Sequence, residues 1–233
     1  MSTTDQTDGN DAQLPDFTEL AQDVDPGTVM TEYGEEIAAA LGRATSGEID
    51  VTWIQAQSCT GCTMSMLQGE FPGVEEALSE FREAISFHPT LMTAGGSQAL
   101  EELSESPDIL IVEGSIPTEV PRAATLGHDE HGEPRPILDW VVSMAETAEY
   151  IVASGSCSAY GGLPAANAGQ APDKGGRGPT GAKGLQFEGM DEGGVFGPDF
   201  ETESGLPVVN IPGCPAHPDH TLLTLATLLN GHE

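Results

Sequence analysis

Four cysteines are the residues of this chain whose type and spacing most clearly suggest chemistry. Cys59 and Cys62 form a C-x2-C pair, and Cys157 and Cys214 follow as isolated residues. Four thiolates suit either a tetrahedral zinc ion or a four-iron, four-sulfur cluster, and the ligand type alone does not separate them. Because structural zinc sites more often use two C-x2-C pairs, the isolated cysteines favour the iron-sulfur cluster. A redox-active Cys59–Cys62 pair is a third interpretation, which leaves the other two cysteines without a role.

Each cysteine site directly follows a short, β-branched, apolar run that is typical of a buried strand. The runs at 49–54, 150–153 and 208–211 lead to the cysteine pair and then to the two isolated cysteines. Because ligands of open α/β sheets bind outside the carboxyl ends of the strands, we expect all four thiols to converge on one sheet edge. Glycines flank all of them, which leaves room for an inorganic cluster and supplies unhindered amides to its sulfurs.

The elements that must position these thiols alternate along the chain between strand-like and helix-like patterns. Strands are predicted at 49–54, 85–87, 109–112, 150–153 and 208–211. Helices are predicted at 64–82, 98–104, 137–148 and 219–229. This alternation predicts an α/β fold, with a flavodoxin-like, doubly wound parallel sheet of about five strands.

The chain divides into an arm and one domain. Residues 1–30 are polar and acidic, and we expect a disordered N-terminal arm. Residues 31–233 form the predicted iron-sulfur domain, where apolar spacing near 33–41 predicts an N-terminal capping helix. The glycine-rich segment 161–184 holds three of the seven basic residues, so we expect an ordered loop that makes contacts.

Composition excludes several classes of partner. The 233 residues include 38 acidic and 7 basic side chains, for a formal net charge of −31. Nucleic acid is excluded, because binding its phosphates requires lysine and arginine, and no apolar run approaches the ~20 residues that insert into a membrane. The scattered acidity indicates a halophilic protein, because salt screens its self-repulsion. The first residues lack the pattern of a secretion signal, which predicts a cytoplasmic location.

Five motifs, in order, resemble the small subunit of nickel-iron hydrogenases. They are CTGC at 59–62, VEGSIP at 112–117, GSC at 155–157 with glycines at 161 and 162, PTGAKG at 179–184, and NIPGCP at 210–215. The resemblance implies that the four cysteines bind one proximal 4Fe-4S cluster. It also implies that this cluster relays electrons to or from the nickel-iron site of a separate large subunit, in H2 oxidation or proton reduction. No catalytic residue is expected in this chain.

Glu113, in the second motif, is a weaker site candidate. It ends the third predicted strand, on the same edge as the cysteines. A solvated glutamate at a strand end is an equally simple interpretation of the sequence.

The sequence departs from the family pattern at three points. Only a short segment follows Cys214, where longer members continue into a domain with two more clusters. This resembles the short small subunits of cytoplasmic, multi-subunit hydrogenases and implies further electron-transfer subunits. Ser58 and Met64 lie where many members carry a carboxylate beside the first cysteine pair, so no proton-handling group is expected there. The related quinone oxidoreductase subunit of 20 kDa type has adjacent cysteines, so the C-x2-C spacing favours the hydrogenase. That subunit and a structural zinc module remain the alternatives.

Acidic residues are missing around the cysteines. Segments 51–69, 84–100, 151–172 and 204–218 contain no Asp or Glu, and all four cysteines lie within them. Because the cores of protein interfaces are depleted in charge, we expect the large subunit to cover this edge.

Overall fold

A computed structural model describes residues 49–69, 85–166 and 178–229 of the chain. The predicted N-terminal arm at 1–30 and the capping helix near 33–41 lie outside these residues. So do the part of the predicted helix 64–82 beyond residue 69 and the centre of the glycine-rich segment.

Eleven strands and six α-helices are present in the described parts of the chain. In chain order they are β1 (Val51–Gln55), α1 (Gly61–Met66), β2 (Ile85–Phe87), α2 (Ser97–Glu101), β3 (Ile109–Glu113), β4 (Ile116–Pro117), β5 (Thr125–His128), β6 (Pro134–Pro136), α3 (Ile137–Ala145), β7 (Tyr150–Ser154), α4 (Gly155–Tyr160), α5 (Gly162–Ala165), β8 (Ala182–Lys183), β9 (Phe187–Glu188), β10 (Asp191–Glu192), β11 (Val209–Ile211) and α6 (Pro218–Leu229). One 3-10 turn, Pro121–Ala123, precedes β5.

Five parallel strands form the central sheet, in the order β11-β7-β3-β1-β2. Strand order reverses between β1 and β3, which is the doubly wound, flavodoxin-like pattern with its switch point there. The predicted fold class is therefore confirmed, and the five predicted strands match the observed ones to within two residues.

The sheet is buried on both faces, as its apolar strands require. One face packs Trp53, Ile111 and Val152 against α1 and α6, where Leu222 and Leu225 are buried. The other face packs residues such as Leu110 and Ile151 against α3. Strands covered on both faces read as continuous apolar runs, and all residues of β3 and β7 are buried.

Three helices differ from their predicted bounds. Helix α1 begins at Gly61 rather than at residue 64, because Thr60 adopts a left-handed conformation (φ 64°) and starts the helix at once. Consequently Cys62 lies in the first turn of α1. Helix α1 ends at Met66, so the predicted continuation through residues 67–69 is wrong. Helix α2 ends at Glu101, and α3 ends at Ala145 instead of residue 148. Within the described residues, no helix combines the length and the apolar composition needed to cross a bilayer.

Short antiparallel pairs surround the sheet and were not predicted. They are β4 with β8, β5 with β6, and β9 with β10. Two-residue strands have no sequence period, so nothing in the pattern indicates them. At the described end of the glycine-rich segment, Lys183 on β8 forms an ion pair with Glu188 on β9, and both side chains are largely covered.

Candidate functional site

All four cysteines lie beyond the carboxyl ends of the central strands. Cys59 and Cys62 follow β1, Cys157 lies in α4 directly after β7, and Cys214 follows β11. All four are free thiols, with Cys59 and Cys214 exposed and the other two half-buried. The Cys62 sulfur lies against Gly155, two residues before Cys157, and accepts a hydrogen bond from the N–H of Ala216, two residues after Cys214. The structure thus brings the predicted cysteines together at one edge.

Hydrogen bonds join the loops that carry the cysteines. The Ser156 N–H donates to the Gly213 carbonyl at 2.8 Å, and the Gly213 N–H donates to Ser156 Oγ at 3.1 Å. The Ser65 hydroxyl of α1 donates to the Ala216 carbonyl at 2.7 Å. The three loops are therefore held in one arrangement by bonds that do not involve the thiols.

Glycines lie directly against three of the four sulfurs. A Cβ atom at Gly61 would lie 3.0 Å from Cys59 Sγ, one at Gly155 would lie 2.4 Å from Cys62 Sγ, and one at Gly162 would lie 2.6 Å from Cys157 Sγ. Gly155 and Gly162 also have positive φ angles, of 85° and 53°. The space beside these sulfurs is therefore available only to glycine.

A hydrogen-bond donor points at one of the sulfurs, since the Ala216 N–H donates to Cys62 Sγ at 3.5 Å. The backbone of Leu163 lowers the pKa of the Cys157 thiol. The hydroxyl of Ser154, a residue that is 1% exposed, has no hydrogen-bond partner among the described residues. Ser154 directly precedes Gly155, which lies against the Cys62 sulfur. Amide and hydroxyl donors of this kind stabilise thiolate and sulfide ligands.

Burial keeps two of the thiols protonated. It raises the pKa of both Cys62 and Cys157 above the ordinary cysteine value, and the nearby amides oppose this only in part. The negative charge of Glu113 raises both pKa values further. Metal ligands must be thiolates, so loading this site with metal releases protons.

Glu113 lies directly beneath the cysteine loop and is 2% exposed. Its Oε1 accepts hydrogen bonds from the Cys62 N–H at 3.1 Å and the Ser58 hydroxyl at 2.8 Å. Its Oε2 accepts from the Trp53 indole at 3.2 Å and the Thr63 hydroxyl at 2.5 Å. The alternative interpretation, a solvated glutamate at a strand end, is therefore wrong: Glu113 is buried beneath the cysteine loop.

Two further polar residues complete the surroundings of Glu113, and sequence reasoning missed both. Gln55 donates its side-chain amide to Glu113 Oε2 at 3.2 Å. His88, 1% exposed, lies 3.4 Å from the Thr63 hydroxyl through Nε2, while its Nδ1 accepts from the Thr90 N–H at 3.2 Å. Only the register of the strands indicates Gln55, because it pairs with Glu113 across β1 and β3.

Two motifs without cysteines support the site from the side. Residues 116–117 and 182–183 pair as β4 and β8, which joins the VEGSIP and PTGAKG motifs. The Gln57 amide, just before the cysteine pair, donates to the Thr180 hydroxyl at 3.1 Å. Both motifs therefore have a structural explanation in the way they hold the cysteine loop.

The four thiols lie at one edge of the sheet but do not form a site for a single metal ion. Among the described residues, no three Cys, His, Asp or Glu side chains lie close enough together to bind one metal ion.

Comparison with known proteins places this arrangement in a family. Residues 59–228 match the family described as NADH ubiquinone oxidoreductase, 20 Kd subunit. The periplasmic [NiFeSe] hydrogenase small subunit of Desulfomicrobium baculatum is 34% identical over 186 residues, covering 75% of this chain and 53% of the relative. The hydrogenase-2 small chain of Escherichia coli K12 is 36% identical over 185 residues, covering 77% of this chain and 42% of the relative.

A solved structure shares both sequence and fold. It is a chain of the reduced, active form of the Ni-Fe-Se hydrogenase from Desulfomicrobium baculatum, with 31% identity and a TM-score of 0.61. The match covers 78% of this chain and 64% of that chain. The present chain spans about half the length of the curated relatives that it matches.

The comparison corrects one prediction. A cytoplasmic location was expected because the first residues lack a secretion signal, but that prediction is wrong, since a matching relative is a periplasmic protein by name.

The resemblance seen in the sequence motifs is confirmed by these matches. The relatives described above are hydrogenase small subunits, and the matching structure has the same α/β architecture. The chain belongs to the family described as NADH ubiquinone oxidoreductase, 20 Kd subunit, and within it to the small subunits of nickel-iron hydrogenases.

Proposed function

We propose that this chain is the electron-transfer small subunit of a nickel-iron hydrogenase. It relays electrons through one proximal 4Fe-4S cluster to or from the nickel-iron site of a large subunit, during H2 oxidation or proton reduction. The observation that carries the proposal is the convergence of four free thiols at the carboxyl edge of the sheet, with glycine against three of their sulfurs.

The residues present fit such a cluster. Cys59, Cys62, Cys157 and Cys214 would supply one thiolate for each of four irons, and the Ala216 amide that donates to Cys62 suits a sulfur ligand. The bound cluster would supply one-electron transfer. The surrounding chain holds the ligand loops and provides an amide hydrogen bond, and none of its residues acts as a catalytic residue.

The two alternatives are less well supported. A quinone oxidoreductase subunit belongs to the same family, but the C-x2-C spacing and the named relatives favour a hydrogenase. A structural zinc site more often uses two C-x2-C pairs, whereas this chain has one such pair and two isolated cysteines.

The large subunit is proposed to cover the cysteine edge. Cys59 and Cys214 are exposed there, and Met64 on α1 exposes 50% of its surface. Four surrounding sequence segments contain no acidic residue in a chain of net charge −31. An apolar, charge-depleted patch on such an acidic protein suits a stable interface. Electrons would leave the cluster through further electron-transfer subunits.

Hydrogen–deuterium exchange tests the position of this interface. Adding the large subunit should slow exchange in residues 58–66 and 212–217, which carry three of the four cysteines. The β5–β6 hairpin should exchange at an unchanged rate and serves as the internal control. Equal exchange of the cysteine loops with and without the large subunit would contradict the interface.

Removal of single thiols tests the cluster itself. The complex of this chain with its large subunit, purified without oxygen, should show the electron paramagnetic resonance signal of a reduced 4Fe-4S cluster. We expect each of Cys59→Ala, Cys62→Ala, Cys157→Ala and Cys214→Ala to reduce this signal strongly. Thr221→Ala, a buried change on α6 outside the site, controls for general destabilisation. A full signal in any cysteine variant would remove that residue from the ligand set.

A further inference from the structure

Three polar residues form a row beneath the cysteines. Gln55, Glu113 and Ser154 end β1, β3 and β7, and the pairing places Gln55 opposite Glu113 and Glu113 opposite Ser154. The four residues of β3 that precede Glu113 are all apolar. The one polar side chain of β3 therefore lies at the edge where the thiols converge.

Glu113 contributes a fixed negative charge to this row. The Trp53 indole, the Gln55 amide and the Cys62 amide are donors only, so the carboxyl oxygens that face them are acceptors. The hydroxyls of Ser58 and Thr63 complete the set. A buried carboxylate with five donors and a direct bond to the Cys62 amide cannot turn away from the site.

Ser154 contributes a hydroxyl dipole, whose effect on the cluster is opposite to that of the Glu113 charge. Buried polar groups almost always have a hydrogen-bond partner, yet Ser154 Oγ has none in the described segments. The next residue, Gly155, lies directly against the Cys62 sulfur. The buried hydroxyl is therefore available to donate to a sulfur of the bound cluster.

We propose that Glu113 and Ser154 set the reduction potential of the cluster in opposite directions. The inference rests on the proposed binding of a 4Fe-4S cluster by the four cysteines. One-electron reduction, by an electron from the H2 reaction of the large subunit, adds one negative charge to the cluster. The Glu113 carboxylate disfavours that added charge, whereas a hydroxyl that donates a hydrogen bond to a sulfur of the cluster favours it. Both residues act through their fields and are positioning residues.

Redox titration of the intact complex, monitored by electron paramagnetic resonance, tests the inference. Glu113→Gln should shift the midpoint potential of the cluster to a more positive value, because it removes the charge. Ser154→Ala should shift the potential to a more negative value. Glu113→Asp keeps the charge and should return the potential towards that of the wild type, which a purely structural role would not do.

Two polar changes at the far edge of the sheet, one half-buried and one buried, serve as controls. Asp108→Asn alters the carboxylate that accepts the Asp50 N–H at 2.7 Å, just before β3. Thr52→Val alters a buried hydroxyl near the start of β1. Neither should move the potential.

The outcomes separate this inference from the proposed function. Shifts of opposite sign in the glutamine and alanine variants support it. The inference is overturned if both variants keep the wild-type iron and sulfide content but their potentials match those of the controls or move in the same direction. The proposed electron relay would still stand in that case. Should Glu113→Gln fail to assemble, the sign of the Ser154→Ala shift and the potential of Glu113→Asp decide the matter. A wild-type complex without iron and sulfide contradicts the proposed function itself.

Discussion

At the scale of single residues, the Cys62 sulfur is closely packed on the side of Gly155. Gly155 lies against it, the Ala216 N–H donates to it, and the backbone of Cys62 is bonded to Glu113. Position 155 requires glycine for two reasons, its positive φ angle and its close contact with the sulfur. The backbone requirement and the contact requirement can be separated by experiment.

Gly155→Ala should strongly reduce cluster incorporation, because its Cβ would lie 2.4 Å from Cys62 Sγ. Changes in groups that support metal ligands typically cost roughly 10- to 100-fold in affinity. Gly205→Ala is the matched control, since Gly205 has a nearly equal φ of 83° but no atom within 4 Å of the added Cβ. Iron and sulfide per chain are the measurement. Equal losses in both variants would mean that backbone strain, and not contact with the sulfur, is responsible.

His88 gives the fold a dependence on acid. Burial lowers the pKa of His88 to about 4, against 6.5 in an unfolded chain. The folded state therefore favours the neutral ring, so its contribution to stability is complete above pH 6.5 and is lost as pH falls towards 4. Between pH 7 and pH 5 this loss is about 2 kcal/mol.

His88→Gln should remove most of that pH dependence. The free energy of unfolding at pH 7 and pH 5, measured by denaturant titration at constant high salt, gives the comparison. His128→Gln, on the exposed end of β5, should leave the wild-type pH dependence in place. An unchanged pH dependence in the His88 variant would show that other groups are responsible.

At the scale of elements, the sheet could be predicted from the sequence and the network beneath the cysteines could not. β-Branched runs followed by glycine-flanked cysteines indicated both the strands and the edge of the site. The five donors to Glu113 depend on the register of β1 with β3 and on the left-handed Thr60, which starts α1 early. Neither feature has a local sequence pattern. Trp53, which the sequence suggests is simply core, illustrates this, because its indole N–H is a donor to Glu113.

The β5–β6 hairpin is attached to the fold through Trp140 of α3. The Trp140 indole donates to the Leu126 carbonyl at 2.9 Å, and the Arg135 guanidinium lies 3.5 Å from the ring centre. Trp140→Phe should destabilise the protein by about 1–3 kcal/mol, because it leaves that carbonyl without its partner. Denaturant unfolding measures the loss, and Val142→Ala on the exposed side of α3 should cost less than about 0.5 kcal/mol. Equal small effects would contradict this attachment.

At the scale of the whole molecule, charge is distributed unevenly. A net charge of −31 is combined with four acid-free segments around the cysteines. Buried strands account for part of this depletion, since core positions rarely hold carboxylates. The loops that carry the thiols are not explained in that way, which is why the depletion supports an interface.

The halophilic character predicted from composition implies a salt-dependent stability. Raising salt from 0.1 M to 1 M shortens the screening length from about 10 Å to about 3 Å and weakens the repulsion among the 38 acidic side chains. The melting temperature should therefore rise over this range in KCl. Sucrose of matched osmolality controls for excluded-solute effects. A melting temperature that stays constant or falls would contradict a high-salt adaptation.

The relay itself is tested most directly by the metal content of the native complex, purified without oxygen in high salt. Iron, acid-labile sulfide, nickel and zinc should be measured on the same sample. We predict about four irons and four sulfides held by this chain, with nickel in the large subunit and no stoichiometric zinc. Zinc without sulfide would contradict the redox function, and iron and sulfide without nickel would favour a quinone-linked or other nickel-free complex.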